Sequence, residues 1–130
     1  MTSAEPLAAV TLTITEVAER TGLSADTLRY YEKADLISPV ARSAGGQRRY
    51  ATSDLAWIEF LLRLRDTGMS IADMQQFAEL RRRGDTTVAE RLALLRGHRQ
   101  RLTERIQQLQ ANGAALDEKI TYYQSLLEDA

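Results

Sequence analysis

A mostly α-helical fold, a winged helix-turn-helix followed by one long coiled-coil helix, is what the sequence predicts, and three features predict it. Two short helical segments flank a glycine turn at Gly22. Directly after them, two short segments of strand character flank Gly45-Gly46. From Val88 to Leu127 apolar residues then recur with 4,3 spacing, the signature of a helix with one sustained apolar seam.

The elements follow in order. Thr13-Ile14-Thr15-Glu16 fits a capping box, in which a hydroxyl and a carboxylate three residues apart each accept from the other's backbone N–H. Ile14, Val17 and Ala18 give that helix one apolar face. Gly22 ends it, because glycine takes the left-handed backbone of a tight turn without penalty. Ser24 is a good cap for a second helix, Ala25-Asp26-Thr27-Leu28-Arg29-Tyr30-Tyr31-Glu32. Helix, glycine turn and helix make a helix-turn-helix. Ser38-Pro39 then stops helix, and Val40-Ala41-Arg42 and Gln47-Arg48-Arg49-Tyr50 flank Ser43-Ala44-Gly45-Gly46 as a hairpin, hence a wing. Thr52 or Ser53 is expected to cap a third helix with Leu55, Ile58, Leu61, Leu62 and Met69 as its stripe, ending at Gly68. Ser70 opens a fourth, carrying Ile71, Met74, Phe77 and Ala78 and running into Arg81-Arg82-Arg83 before Gly84. Cations in a last helical turn suit the dipole there.

Thr87-Val88-Ala89-Glu90 is a second capping box. Beyond it Val88, Leu92, Leu95, Arg99, Leu102, Ile106, Leu109, Gly113, Leu116, Ile120, Tyr123 and Leu127 keep heptad spacing, ten of the twelve being apolar. Such a helix runs about 60 Å at 1.5 Å per residue. It needs a partner, and the simplest is a second copy of the chain. Val88, Leu92, Leu95, Leu102, Ile106, Leu109, Leu116 and Ile120 are therefore the expected dimerisation residues. Arg99 and Gly113 interrupt the seam, and Asn112-Gly113 marks a point where the helix could bend or break.

Composition narrows the function. The 130 residues allow one small domain plus an extension: residues 1–10 as a flexible tail, 11–84 as the winged domain with linking helices, and 85–130 as the coiled coil. The tail lacks the basic start and apolar stretch of a signal peptide. No apolar run is long enough for a membrane span. The absence of cysteine removes disulfides, thiolate metal sites and thiol redox chemistry. A single histidine, His98, builds no metal site, so neither metal nor other cofactor is expected, and a cytoplasmic setting fits. No nucleophile–base set or phosphate-cradling loop suggests an enzyme. Net charge is −1, yet from Arg20 to Tyr50 six basic residues stand against three acidic ones. A local basic patch is what phosphate contact requires.

On the second helix Asp26, Arg29, Tyr30 and Lys33 share one face, while Leu28 and Tyr31 point to the core. Arginine matches guanine edges or a phosphate fork, and tyrosine donates to phosphate. Asp26 repels phosphate unless it pairs with Arg29 or accepts from a cytosine amino group. The alternative, a plain solvated face, applies also to the wing arginines. Trp57, Phe60 and Phe77 are expected in the core rather than around a ligand, His98 beside the seam in solvent, and Arg81-Arg82-Arg83 either near flanking DNA or as a simple cationic terminus.

Ile14-Thr15-Glu16-Val17-Ala18, Gly22-Leu23-Ser24, Thr27-Leu28-Arg29-Tyr30-Tyr31-Glu32, Leu36-Ile37-Ser38-Pro39, Arg48-Arg49-Tyr50 and Asp66-Thr67-Gly68-Met69-Ser70-Ile71, in this order, resemble the MerR family of regulators over most of the chain. The resemblance implies a homodimer, paired through antiparallel long helices, on a pseudo-palindromic site in double-stranded promoter DNA. It implies bending and untwisting of that DNA, with RNA polymerase affected indirectly. The heptads alone leave the direction of the coiled coil open. By the same resemblance Arg29 and Tyr30 contact DNA from the second helix, Arg42, Arg48 and Arg49 from the wing, and Thr13 or Thr15 from the start of the first helix. Ser24, Asp26, Thr27, Lys33 and Tyr50 complete the expected DNA-facing set. Trp57-Ile58-Glu59-Phe60 and Gly84-Asp85-Thr86-Thr87-Val88-Ala89-Glu90-Arg91 are similar to the aldehyde-responsive AdhR/NmlR branch. Arg63 stands where that branch carries its sensing cysteine, and a guanidinium lacks the nucleophilicity of a thiolate. An effector-free architectural DNA-binding protein and a protein-interaction module remain the other readings.

Overall fold

The computed structural model describes residues 11–130; the expected tail, residues 1–10, lies outside them. The described chain forms two compact units, one through Val88 and the other Ala89–Ala130.

In the first unit, β1 (Leu12–Thr13) leads into α1 (Ile14–Thr21), and α2 spans Ala25–Lys33. The capping box closes as predicted: Thr13 N–H donates to Glu16 Oε1 at 3.0 Å, and Glu16 N–H to Thr13 Oγ1 at 3.1 Å. The Thr13 backbone N–H first, then the Thr13 hydroxyl, with Arg49 and Arg20 nearby, hold the Glu16 carboxyl below its usual pKa. Gly22 terminates α1 at φ 76°, its N–H donating to the Ala18 carbonyl. Ser24 caps α2 by accepting from Thr27 N–H at 3.0 Å.

The wing consists of β2 (Ala41–Arg42) and β3 (Arg48–Tyr50). Ser43 N–H donates to the Gln47 carbonyl and Gly46 N–H to the Ser43 carbonyl, with Gly46 at φ 80°. The hairpin is part of a three-stranded antiparallel sheet of order β1-β3-β2, in which Leu12 faces Tyr50 and Arg42 faces Arg48. Strand β1 had no sequence signal, since two residues are too few to show alternation.

α3 (Thr52–Asp66) and α4 (Ile71–Arg82) complete the unit, followed by a short 3-10 turn, Asp85–Thr87. The cap of α3 differs from expectation. Ala51 occupies the cap position, not Thr52 or Ser53, and the Asp54 carboxylate accepts from Ala51 N–H at 2.8 Å. The buried face of α3 is Trp57, Ile58, Leu61 and Leu64, whereas Leu55 and Leu62 are half-buried. Thr52, Glu59, Arg63 and Asp66 form the exposed stripe of this helix, and Leu55 and Leu62 lie beside that stripe rather than opposite it. Ser70 caps α4 as predicted, accepting from Asp73 N–H, but Ile71 is exposed.

Trp57 and Phe77 lie in the core as expected, Trp57 stacking on Phe77 with centroids 5.8 Å apart, while Phe60, which touches both rings, is half-buried. The Arg81 guanidinium lies 4.4 Å above the indole, a cation–π contact. Thr87 is buried and donates to the Leu80 carbonyl.

α5 is one uninterrupted helix, Val88–Glu128, with no break at Asn112-Gly113. His98 is 8% exposed. It is therefore buried, not solvated as expected.

Candidate nucleic-acid interface

The side chains expected to face DNA come from three places that the fold brings together. α1 presents its N-terminus, α2 its polar face, and the wing its arginines. Between them lies an open cleft of about 360 Å³, lined by Thr13, Ile14, Thr15, Arg29, Arg42, Gly46, Gln47 and Arg48. Three cations and the first turn of a helix thus converge on one concavity. Helix N-termini offer unpaired N–H groups and a positive dipole end, both of which suit an anion.

Each arginine at this surface is held by a protein partner. Arg29 pairs with Asp26 at 2.9 Å on the exposed face of α2, which answers the question Asp26 posed: its charge is matched by Arg29. Arg42 donates from Nη1 to the Gly46 carbonyl across the wing tip at 3.0 Å. Arg48 donates from Nε to both Glu32 oxygens at 3.2 Å, tying the last turn of α2 to β3. Arg49 donates to Thr11 through Nε (to Oγ1) and Nη2 (to the carbonyl). A guanidinium tethered at one nitrogen loses less freedom on meeting a phosphate than a fully mobile one.

Glu32 and Thr11 were missed as supporting residues. Glu32 carries a visible signal, a carboxylate inside the Arg29-Tyr30-Tyr31-Glu32 run with three cations following in the wing. Thr11 carries none, because its contact spans 38 residues.

The remaining expected positions divide. Tyr30 is 52% exposed and Lys33 exposed on the α2 face. Thr15 and Ser24 are exposed and Thr27 half-buried, but Ser24 and Thr27 spend their hydroxyls on each other at 2.9 Å. Tyr50 does not belong to the surface. It is 1% exposed, a core residue of β3 beside Leu12, and burial raises its phenol above the ordinary pKa, the Glu32 charge adding to the effect. Strand alternation places Tyr50 on the same face as Arg48 and opposite to Arg49, a distinction that a basic-aromatic run does not reveal.

In α5 the seam residues Val88, Leu92, Ile106, Leu109, Leu116 and Ile120 are 41% to 65% exposed, and Leu95 and Leu102 half-buried. Tyr122, Tyr123, Leu126 and Leu127 extend the exposed apolar surface at its end. Arg63 is exposed on α3 beside Arg20, Glu59 and Asp66, in a shallow polar depression. Among the described residues no helix is long and apolar enough to cross a membrane.

Comparison with known proteins agrees with this architecture. Residues 12–80 match the family model for the MerR HTH family regulatory protein, and residues 55–119 the model for MerR, DNA binding. An uncharacterized HTH-type transcriptional regulator of Haemophilus influenzae is 38% identical over 115 residues, covering 88% of this chain and 85% of its own. The HTH-type transcriptional regulator AdhR of Bacillus subtilis is 44% identical over 93 residues, covering 72% of this chain and 66% of its own. The crystal structure of HiNmlR, described as a MerR family regulator lacking the sensor domain and bound to promoter DNA, superposes with a TM-score of 0.81 at 38% identity. That match covers 89% of this chain and 92% of HiNmlR. With a capped helix-turn-helix, a two-stranded wing, a helix pair and a 41-residue helix in this order, the chain belongs to the MerR family of transcriptional regulators.

Proposed function

We propose that the protein acts in the cytoplasm as a homodimer on a pseudo-palindromic promoter duplex, which it reads with the exposed face of α2, grips with the wing, and distorts, so that RNA polymerase is affected through the DNA. The observation that carries the reading is the cleft in which Arg29, Arg42 and Arg48 meet the N-terminal turn of α1. Phosphate contacts there position the protein, and base contacts from α2 specify the sequence. The presence of promoter DNA on the similar HiNmlR supports it. The exposed seam of α5 supports the homodimer, since a long apolar stripe open to water is unfavourable until a second helix covers it.

The test is binding to the duplex that the protein itself selects from a random-sequence pool, across a salt series. Arg29→Ala is expected to weaken binding by about 1–3 kcal/mol and relax the base preference at one position per half-site. Arg42→Ala is expected to weaken all duplexes alike and to reduce the slope of log K against log salt by about one. An Arg29→Ala protein that selects the same sequence with the same affinity overturns the assignment.

A further inference from the structure

The turn that leaves α2 is held from behind by another part of the unit. The last turn of α2 closes with Asp35 in the left-handed region at φ 61°, the only non-glycine residue with positive φ among those described. Leu36 N–H donates to the Tyr31 carbonyl and Asp35 N–H to that of Glu32, the bond pattern of a Schellman end. Leu36 and Tyr31 are both buried, supplying the apolar contact of that motif. Three consecutive carbonyls of the turn then accept from side chains of α3 and α4. Gln75 Nε2 donates to Ala34 O at 2.9 Å, Arg82 Nη1 to Asp35 O at 2.8 Å, and Trp57 Nε1 to Leu36 O at 2.8 Å. Gln75, Glu79 and Arg82 lie at i, i+4 and i+7, on one face of α4. Glu79 steadies Arg82 through an ion pair at 3.0 Å.

A helix end in water satisfies such carbonyls with solvent. Here they are caught by donors from two other helices, one of them the buried indole. The attachment is directional: it is made to the backbone of the turn, so it fixes where the axis of α2 emerges whatever side chains α2 carries. Asp35 holds a sparsely populated left-handed conformation, which persists where the surrounding bonds over-determine it.

From this geometry we infer that Gln75 and Arg82 are positioning residues for DNA recognition, fixing the tilt of α2 to that of α4. The inference rests on the reading that α2 faces the DNA. The two residues touch no base or phosphate in this scheme. They set the aim of the residues that do.

The experiment compares the wild type, the Gln75→Met/Arg82→Met double variant and Arg82→Lys. The probes are the duplex selected by the wild-type protein and two derivatives with half-sites one base pair closer and farther apart. Methionine keeps the stem and the helix propensity but donates nothing. The expected result is an affinity loss of about tenfold on the selected duplex, the order of one well-placed base contact. The penalty for altered spacing should shrink at least severalfold, while Arg82→Lys, which still donates, retains most of the wild-type preference. A general loss of stability weakens all three duplexes alike, so the spacing profile is what a structural role would not move. A profile unchanged in the double variant overturns the inference. Should that variant fail to fold, the exposed Gln75→Met single variant is judged by the same profile. A wild-type protein that selects no duplex at all refutes the DNA reading instead.

Discussion

Glu32→Gln is the most informative perturbation of the wing. Arg48 Nε meets both Glu32 oxygens at 3.2 Å, and the two side chains are only 22% and 14% exposed. An exposed ion pair contributes about 0–1 kcal/mol, whereas removing one partner of a buried pair costs about 3–5 kcal/mol. This pair is nearer the buried limit, and glutamine keeps an acceptor oxygen, so the substitution should cost about 2 kcal/mol. A unit of this size loses roughly 4–8 °C per kcal/mol, which places the expected fall in Tm at about 10 °C. The assay is a double-mutant cycle of Glu32→Gln, Arg48→Met and their combination, followed by thermal and urea denaturation. Protein concentration must be held constant, because the proposed association with a second chain would shift apparent stability. Coupling of about 1–2 kcal/mol is expected for groups in direct contact. Additive single effects, to within about 0.5 kcal/mol, would show that the strap between α2 and the wing does not exist in solution.

Three further outcomes follow from features already described. In the proposed dimer Ile106→Asp places a carboxylate in the middle of the α5 seam and forfeits one buried apolar side chain in each of two chains, about 3–6 kcal/mol in all; sedimentation is expected to show a dimer for the wild type and a monomer for the variant, and an unchanged mass refutes the seam. Tyr50 has a raised pKa because its neutral form is favoured in the core, so its contribution is complete below the unfolded value near 10 and is lost as pH rises through the higher folded value; in urea melts from pH 8 to 11, Tyr50→Phe should lose stability less steeply than the wild type, and parallel curves would contradict the burial. Thr13→Ala removes the α1 cap and should cost about 1 kcal/mol. Glu16, whose folded pKa is lowered first by the backbone N–H of Thr13 and then by its hydroxyl, stabilises above the ordinary carboxylate range and ceases to do so as pH falls through the folded value; Thr13→Ala keeps the N–H and loses only the hydroxyl, so the acid limb of its stability profile should be slightly shallower than that of the wild type.

The sequence made the caps of α1, α2 and α4, the glycine turns and the heptad spacing legible because each is a local rule. Thr13 and Glu16 meet within one turn, Gly22 and Gly46 sit where φ is positive, and the seam repeats every seven residues. What escaped was decided by distant partners. Arg48 and Arg49 are adjacent cations in the sequence, but one is held by Glu32 and the other by Thr11. Tyr50 reads as a third member of a basic-aromatic run until β1 is known to lie beside it. The rotation of α3 was ambiguous for a related reason. Eight of the ten residues from Leu55 to Leu64 are apolar, more than one buried face can hold, and contact with other elements selects Trp57 and Leu64 over Leu55 and Leu62 for the interior.

The sheet order β1-β3-β2 makes the wing something other than a free-standing ribbon. β3 is its middle strand, clasped on one side by a neighbour from its own hairpin and on the other by residues that precede the first helix. The closing contact, Thr11 with Arg49, joins points 38 residues apart, so it forms only after the intervening chain has folded back. The amino-terminal approach to α1 is therefore a latch on the wing. A fusion or cleavage that disturbs residues 11–13 should loosen a hairpin far along the chain while leaving both helices of the helix-turn-helix in place, and protease sensitivity at the Gly45-Gly46 tip would report it.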